Sequence, residues 1–216
     1  MVSKYLIIGD IHGDVGSLRA ILSNAGDDRL PIFLGDYINY GNESKEVVDY
    51  LISYRKLNQT IFLLGNHEYY LHQYLDNEIS FHDFASIGGI PTIKSYLGNG
   101  LSGDIRDLLI ENIPQSHLSF FASLEIYFEE ENFFCSHSGL NFKCPTSRKK
   151  EDLIMNTELE LQRGVIDKRI ICGHFIQEGY DPYFSDDLIC IDTGCGSRNG
   201  PLTALLIPEY RIIQSA

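Results

Sequence analysis

Short apolar segments, each about the length of a β-strand, recur along the chain and are bounded by glycine or acidic residues. Between the early segments, Val15 to Ala25 and Ser44 to Leu57 carry apolar residues at helical spacing. Continuous apolar runs are typical of strands buried on both faces, and strands that alternate with helices indicate crossover connections. The pattern therefore predicts a mixed α/β fold. The strand-like segments are Tyr5 to Ile8, Ile32 to Leu34, Ile61 to Leu64, Phe133 to Cys135, Ile170 to Cys172 and Leu188 to Ile191.

The remaining segments elaborate this pattern without a boundary between domains. The stretch from Tyr69 to Glu131 is rich in aromatics and predicts several short helices and loops that cover one edge. From Ile170 onward, turn signals such as Asp181-Pro182 and the apolar run Leu202 to Ile207 predict hairpins. Since no repeat, low-complexity tract or linker interrupts the chain, we expect a single domain, residues 1–216.

Composition narrows the class of protein. The 216 residues are 44% hydrophobic, which is enough for a full core, and 30 acidic against 17 basic residues give a net charge of −13. Such a charge repels nucleic-acid backbones and anionic membranes, so neither is expected as a partner. The five cysteines are odd in number and three lie in apolar runs, which indicates free thiols and a reducing compartment. With no leader-like start and no spanning apolar stretch, the prediction is a soluble, cytoplasmic protein.

Side chains that can bind metals follow five of the apolar segments directly. In α/β sheets the carboxyl ends of strands meet at one crevice, so residues distant in sequence converge there. One such motif alone is more often a turn or a packed histidine than a ligand, but the joint pattern points to a metal centre. The candidate ligands are Asp10, His12, Asp36, Asn66, His137 and His174.

The chemistry of these ligands indicates which metals they suit. Imidazole, carboxylate and amide ligands without a thiolate favour manganese, iron, zinc or a mixed pair. Six ligands exceed what one open catalytic ion takes, but they suffice for two ions that share a carboxylate. Asp10 and His12 can reach the same ion where the chain bends, and Asp36 on the neighbouring strand is the natural bridge. Two divalent or trivalent metal ions are therefore the predicted cofactors.

The motifs resemble those of the PPP family of phosphoprotein phosphatases within the calcineurin-like metallophosphoesterases. They are similar above all to the compact bacterial and phage members and to the related bis(5′-nucleosyl)-tetraphosphatases. Segments 9–13 and 65–68 match the family's first and third motifs in full, and segments 136–139 and 173–174 resemble its last two ligand motifs. The resemblance covers nearly the whole chain and implies a β-sandwich flanked by helices, in four layers αββα.

The resemblance also implies the roles of individual residues. Asp10, His12 and Asp36 would hold the first metal ion, and Asp36, Asn66, His137 and His174 the second. A water molecule shared by the two ions would lose its proton near neutral pH and attack phosphorus in line. His67 would protonate the leaving oxygen, which is typically worth on the order of 10² to 10⁴ in rate. A purely supporting role for His67 beside Asn66 is the alternative.

The second motif departs from the family pattern Gly-Asp-x-x-Asp-Arg-Gly, because the chain has Asn39 and Tyr40 at the last aspartate and the arginine. In the family, that aspartate orients the catalytic histidine and that arginine grips phosphate oxygens. Asn39 could still accept a hydrogen bond from His67, but it cannot stabilise an imidazolium as a carboxylate does. Tyr40 offers one neutral donor where a forked cation is usual. Thr157 aligns with a further family arginine, and Arg148 or Arg163 could supply the missing charge.

Three functions remain open at this stage. The first is a phosphomonoesterase that resembles a Ser/Thr or broad-specificity phosphatase, acting on a phosphorylated protein or a small phosphoester. The second is a phosphodiesterase or dinucleoside-polyphosphate hydrolase, because a diester carries one charge less and depends less on an arginine clamp. The third is a metal-binding recognition domain with weak catalysis. The complete ligand set argues against the third, because clustered carboxylates and imidazoles without a metal would stay unsatisfied.

Overall fold

The computed structural model describes residues 4–26, 28–100 and 102–216. Within these ranges ten strands form two sheets of five strands each. The strands are β1 Tyr5–Ile8, β2 Leu30–Phe33, β3 Ile61–Phe62, β4 Tyr127–Glu129, β5 Phe133–Ser136, β6 Arg169–Cys172, β7 Tyr183–Phe184, β8 Leu188–Cys190, β9 Thr203–Ile207 and β10 Arg211–Gln214. Their order is β10-β9-β1-β2-β3 in the first sheet and β4-β5-β6-β8-β7 in the second.

Eight α-helices accompany the sheets in the described part of the chain. They are α1 Val15–Ala25, α2 Ser44–Arg55, α3 Asn66–Leu75, α4 Phe81–Ser86, α5 Gly89–Leu97, α6 Ile105–Asn112, α7 Gln115–Ala122 and α8 Glu151–Ile154. Side-chain N-caps begin two of these helices. Asp14 accepts the Ser17 backbone N–H at the first turn of α1, and Ser80 accepts the Asp83 N–H at the first turn of α4. A membrane-spanning helix is absent from the described residues, since none combines the necessary length with apolar character.

Strand direction decides where functional side chains can meet. In the first sheet β1, β2 and β3 are parallel, and β9 runs antiparallel to β1. In the second sheet β5, β6 and β8 are parallel. The carboxyl ends of the parallel strands therefore lie at one edge of each sheet, where loops can bring polar residues together.

The core lies in three separate apolar layers. One cluster lies between the sheets and includes Ile7, Ile32, Cys135 and Ile189. A second packs the helices α1 to α7 against the outer face of the first sheet, and a third lies beneath Leu153 of α8 on the outer face of the second sheet. Helices, sheet, sheet and helix thus form four layers, which confirms the predicted αββα sandwich.

Some predicted boundaries and pairings differ from the structure. The second helix ends at Arg55 instead of Leu57, because Lys56 already donates its N–H back to the Tyr54 carbonyl. The strand expected at Ile61 to Leu64 is only two residues long: the Leu63 N–H still donates to the Phe33 carbonyl of β2, but the Leu64 N–H donates to the Glu125 carbonyl instead. Hairpins were expected from Ile170 onward, and β7 with β8 and β9 with β10 form them, whereas β6 lies parallel to β8.

Candidate metal centre

Each predicted ligand lies in a loop, or at a helix start, just after a parallel strand. Asp10 and His12 follow β1, Asp36 follows β2, and Asn66 opens α3 directly after β3. His137 follows β5 of the second sheet and His174 follows β6. The two sheets thus contribute ligands from opposite sides of one crevice. Five of the six side chains come together there, while Asp10 lies outside both groups of ligand atoms and accepts the His174 backbone N–H at 3.0 Å.

The larger part of the cluster joins Asp36, Asn66, His137 and His174. The Nε2 atom of His137 lies 3.3 Å from Asp36 Oδ2 and 2.8 Å from Asn66 Oδ1. The Nδ1 atom of His174 lies 2.9 Å from the same Asn66 oxygen and 3.2 Å from His137 Nε2. Four potential ligand atoms from three loops and one helix start therefore face a common point.

A second group shares the Asp36 carboxylate. The Nε2 atoms of His12 and His67 each lie 3.7 Å from Asp36 Oδ2, the oxygen that also faces His137. Both groups, His12 with Asp36 and His67, and Asp36 with His137 and His174, have ligand atoms within 4.8 Å of one another. Asp36 is the member common to both, which is the position that a bridging carboxylate needs.

The hydrogen bonds of three histidines leave lone pairs aimed into this crevice. His12 Nδ1 is 2.9 Å from the Ile38 carbonyl, His137 Nδ1 is 3.0 Å from the Leu34 carbonyl, and His174 Nε2 is 3.0 Å from the Asn156 carbonyl. A carbonyl can only accept, so in each neutral ring that nitrogen carries the proton. The other nitrogen is then unprotonated, and its lone pair is free to coordinate a metal ion in the orientation that metal-binding histidines adopt.

These lone pairs face oxygen atoms that also only accept. In the neutral rings, the lone pairs of His137 and His174 point at the Asn66 carbonyl oxygen and the Asp36 carboxylate, so the contacts are repulsive unless a metal ion, or a proton on His137, whose pKa Asp36 raises against the effect of burial, lies among them. The Oδ1 atom of buried Asp10 has no hydrogen-bond partner among the described residues. Orphaned acceptors and converging lone pairs are what a metal centre requires, and the residues present fit one.

Electrostatics reinforce this interpretation. Burial and the carboxylates of Asp192 and Asp36 raise the pKa of Asp10 well above its ordinary value. Burial acts in the same sense on Asp36, but His137, His67 and His12 outweigh it and hold the Asp36 pKa well below its ordinary value. Burial and the neighbouring His137 lower the pKa of His174 to about 4, so that ring is neutral near pH 7.

The backbone around the ligands adopts conformations that side chains rarely tolerate. His12, Asp36, Asn39, Tyr40 and His174 have φ values of 45°, 53°, 72°, 62° and 66°. Left-handed conformations cost a non-glycine residue of the order of 1 to 2 kcal/mol each, and they persist where surrounding contacts enforce them. Clustering at the ligand loops indicates that the fold holds these side chains in position for function.

Glu68 enforces the turn that carries Asp36. Its buried carboxylate accepts the backbone N–H groups of Asp36 at 2.9 Å, Tyr37 at 2.8 Å, and Ile38 and Gly65 at 3.2 Å. Gly65 must be glycine at this point, because a Cβ there would collide with the Asp36 side chain and backbone. The segment 65–68 therefore supplies the candidate ligand Asn66 and also holds the loop of Asp36, the candidate bridging ligand, in place.

Asn39 contacts His67 with its amide nitrogen. Asn39 Nδ2 lies 2.8 Å from His67 Nδ1 and 3.4 Å from the Ile87 carbonyl, while Asn39 Oδ1 accepts from the Thr92 hydroxyl at 2.8 Å. The carbonyl and the hydroxyl fix the amide in this orientation. His67 Nδ1 therefore accepts, and its ring proton lies on Nε2, facing the crevice. The acceptor role that the sequence left open for Asn39 is not realised, because its amide nitrogen faces His67 Nδ1.

Tyr40 covers the crevice on the side of His12 and His67. Its ring centroid lies 5.1 Å from that of His12 and 5.3 Å from that of His67, both edge-on, and the side chain remains 41% exposed. The Tyr40 N–H donates to the Gly88 carbonyl at 2.9 Å, and the ring lies where a Cβ on Gly88 would be. The phenol is thus held at the rim, where it can meet an incoming substrate.

The two arginines predicted as alternative phosphate contacts are bound to other groups of the protein. The Arg148 guanidinium donates to the Pro145 and Ser147 carbonyls at 3.0 Å and lies 4.8 Å from the Phe134 ring on the outer side of the second sheet. Arg163 is exposed and pairs with Asp187 at 3.3 Å. Asn156, next to Thr157, receives the His174 ring N–H at its carbonyl.

Several residues that support the centre were not singled out from the sequence. Asp192 is buried beside Asp10, and its Oδ1 accepts the Gly194 N–H at 2.9 Å. Gln162 holds the His137 loop by accepting from Leu140 N–H at 2.8 Å and donating to Ser138 O at 3.0 Å. Asp192 could have been recognised as a candidate site residue because it directly follows an apolar strand. The sequence around Gln162 contains no comparable signal.

The two-sheet sandwich with paired ligand clusters at its strand ends defines a metallophosphoesterase. Residues 3–196 match the calcineurin-like phosphoesterase family. The chain belongs to that family, and its class is a hydrolase that acts on phosphoester bonds. The resemblance noted from the motifs is confirmed.

Solved structures share the fold at low sequence identity. A candidate diadenosine tetraphosphatase is 22% identical with a TM-score of 0.62, over 98% of this chain and 92% of the other. A serine/threonine phosphatase from Saccharomyces cerevisiae is 15% identical with a TM-score of 0.57, over 99% and 79% of the two chains. A cold-active protein tyrosine phosphatase is 16% identical with a TM-score of 0.64, over 99% and 76%.

A curated relative matches a shorter stretch. A zinc-dependent endopolyphosphatase from Saccharomyces cerevisiae (strain ATCC 204508 / S288c) is 32% identical over 69 residues, which are 30% of this chain and 21% of that protein. The chain therefore spans about a fifth of the length of that relative. The match is to a part of it only.

Proposed function

We propose that the chain hydrolyses phosphate esters at a dinuclear metal centre within a single domain, residues 1–216. Asp10, His12 and Asp36 would hold one ion, and Asp36, Asn66, His137 and His174 the other. The observation that carries the proposal is the set of three histidine lone pairs directed at the Asp36 and Asn66 oxygens. Manganese, iron and zinc all suit this donor set. When bound, two such ions supply the nucleophile by acidifying water and neutralise the charge on phosphate oxygens.

The chain's own residues position the ester and its leaving group. His67 presents its Nε2 proton to the crevice, where it donates a hydrogen bond to the oxygen that leaves. Asn39 fixes the tautomer of His67, and the Tyr40 hydroxyl donates to a phosphate oxygen at the rim. Arg148 remains a predicted substrate contact, which requires that it leave the Pro145 and Ser147 carbonyls it now binds.

A second candidate function is hydrolysis of phosphoanhydrides or of diesters with acidic leaving groups. One observation favours it: the Asn39 amide donates to His67, and burial lowers the pKa of His67 to about 3, so the ring is a neutral donor near pH 7. A neutral imidazole protonates an alkoxide poorly, whereas a departing phosphate or phenolate needs no proton. The names of two similar proteins, a candidate diadenosine tetraphosphatase and an endopolyphosphatase, accord with such substrates.

A metal screen with paired chromogenic substrates tests the proposal. Purified protein loaded with Mn²⁺, Fe²⁺ or Zn²⁺ is assayed on p-nitrophenyl phosphate and on bis(p-nitrophenyl) phosphate, together with pyrophosphate and phosphoserine. We expect hydrolysis that depends on added metal, and phosphoserine should be hydrolysed as well as p-nitrophenyl phosphate if the first candidate holds. Faster turnover of pyrophosphate and the aryl diester than of phosphoserine would support the second.

The His137→Ala variant provides the site-specific arm, and His82→Ala is its matched control because His82 is exposed on α4. We expect His137→Ala to lose activity and bound metal, and His82→Ala to keep both. Activity that needs no metal, or that survives His137→Ala in full, would contradict the assignment of the centre.

A further inference from the structure

The loop between β8 and β9 lies directly against the backbone of His12. The Cys195 thiol lies 3.4 Å from the Ile11 carbonyl oxygen, and a Cβ on Gly196 would collide with the His12 carbonyl. Residues 195 and 196 are thus fixed beside the candidate ligand His12. This loop brings one cation to the rim of the centre.

That cation is Arg198, whose backbone is anchored while its side chain is free. Its N–H donates to the Gly194 carbonyl at 2.8 Å, and its carbonyl accepts the Tyr180 hydroxyl at 3.0 Å. The side chain is exposed, and within residues 4–26, 28–100 and 102–216 its guanidinium has neither a hydrogen bond nor an ion pair. Arg148 and Arg163, the cations considered from the sequence, instead both pair with carboxylates.

The loop that carries Arg198 and the loop that carries Tyr40 meet at the His12 carbonyl, because a Cβ on Gly196 or on Gly41 would collide with that oxygen. Burial and the Asp36 carboxylate raise the pKa of Tyr40, and the positive charge of Arg198 opposes them. The phenol in turn contacts the rings of His12 and His67 edge-on.

We propose that Arg198 and Tyr40 together bind a phosphate group of the substrate at the His12 side of the centre. A guanidinium binds phosphate oxygens in a bidentate manner, which a lone tyrosine cannot do, so Arg198 supplies from a later loop the charge that Tyr40 lacks. The residue is a determinant of affinity for anionic substrates and of preference for monoesters, which carry the larger charge. The inference rests on the proposed function, because it assigns a role within the same site.

Direct binding of inorganic phosphate provides the test independently of turnover. Isothermal titration calorimetry on Mn²⁺-loaded protein compares the wild type with Arg198→Gln, Arg198→Lys and Arg211→Gln. Arg211 is the matched control, because it is an exposed arginine on β10 and its loss changes the net charge equally. We expect Arg198→Gln to raise the Kd for phosphate about 10-fold, Arg198→Lys to raise it less, and Arg211→Gln to leave it unchanged.

The kinetic arm uses the same variants on p-nitrophenyl phosphate and its diester. Arg198→Gln is expected to raise KM for the monoester more than for the diester, with kcat changed less than KM. Equal Kd values for Arg198→Gln and Arg211→Gln, or no phosphate binding by the wild type, would overturn the inference. If phosphate binding depends on Arg198 but no ester is hydrolysed, the proposed function fails while the anion site stands.

Discussion

Replacing Asn39 by aspartate should change which leaving groups the centre can expel. Asn39 Nδ2 lies 2.8 Å from His67 Nδ1, so Asn39→Asp places a carboxylate oxygen where an amide donor was. The carboxylate must accept, which draws the ring proton to Nδ1 and favours an imidazolium that also carries a proton on Nε2. The Thr92 hydroxyl can still donate to the new carboxylate, so the change keeps that contact.

The size of the effect follows from the charges. Two unit charges about 4 Å apart attract by ~4 kcal/mol at an effective dielectric constant of about 20. That energy corresponds to a rise of about 3 pKa units. The pKa of His67, which burial lowers to about 3, would therefore rise to about 6. Because the pKa is raised, the imidazolium forms as pH falls through about 6 and is lost above it.

The assay compares an ester with a poor leaving group and one with a good leaving group. Phosphoserine and p-nitrophenyl phosphate are hydrolysed by the wild type, by Asn39→Asp and by Asn58→Asp, an exposed control with the same change in charge. At pH 6, Asn39→Asp should raise kcat/KM for phosphoserine by on the order of 10²-fold and change the aryl ester far less. The gain should fade above pH 7.

Three results would refute this reasoning. They are an equal gain for both esters, a gain in Asn58→Asp as well, and a gain for phosphoserine that persists unchanged above pH 7. Metal content is measured for each variant, so that a loss of bound ions is separated from a change in proton transfer.

Three further predictions concern metal binding and stability. His137→Ala should lower the number of bound metal ions measured by mass spectrometry, and an unchanged count would contradict the ligand assignment. Gln162→Leu should lower the unfolding free energy in urea by about 1 to 3 kcal/mol, because the buried Leu140 N–H loses its acceptor; an unchanged midpoint would refute this. The Arg29 hydrogen bond lowers the pKa of Glu209 to about 2, so the pair stabilises the fold above pH 4.5 and loses its effect as pH falls towards 2. Glu209→Gln should therefore lower Tm at pH 7 by differential scanning calorimetry, with the difference from wild type shrinking below pH 4.5; a difference independent of pH would contradict it.

The strands and the ligand loops could be predicted because local sequence determines them. Apolar runs such as Tyr5 to Ile8 are recognisable without any partner, and Asp10 or His137 follow such runs directly. The pairing of strands could not be predicted, because a strand that is apolar on both faces carries no signal for its neighbour. The turn signals correctly favoured the hairpins β7–β8 and β9–β10, but nothing in the sequence indicated that β6 lies parallel to β8.

The finer chemistry of the site depends on contacts between distant residues. The direction of the Asn39 amide is set by Thr92 and by the Ile87 carbonyl, about 50 positions further along the chain. The loop that carries Arg198 packs on the backbone of Ile11 and His12, although about 180 positions of sequence separate them. Neither contact has a periodicity or a motif, so only the folded structure can provide it.

The left-handed backbone at the ligand loops affects how stable the protein can be. Glycine would adopt the conformation of Tyr40 without strain, so selection for thermal stability alone would favour glycine there and remove a proposed substrate contact. In the metal-free protein the strain and the repulsion between ligands both oppose folding, and amide hydrogen exchange should be fastest along this edge. Binding of metal ions would stabilise the ligand loops through mass action and slow their hydrogen exchange. Activity and local order should therefore both rise with the concentration of metal.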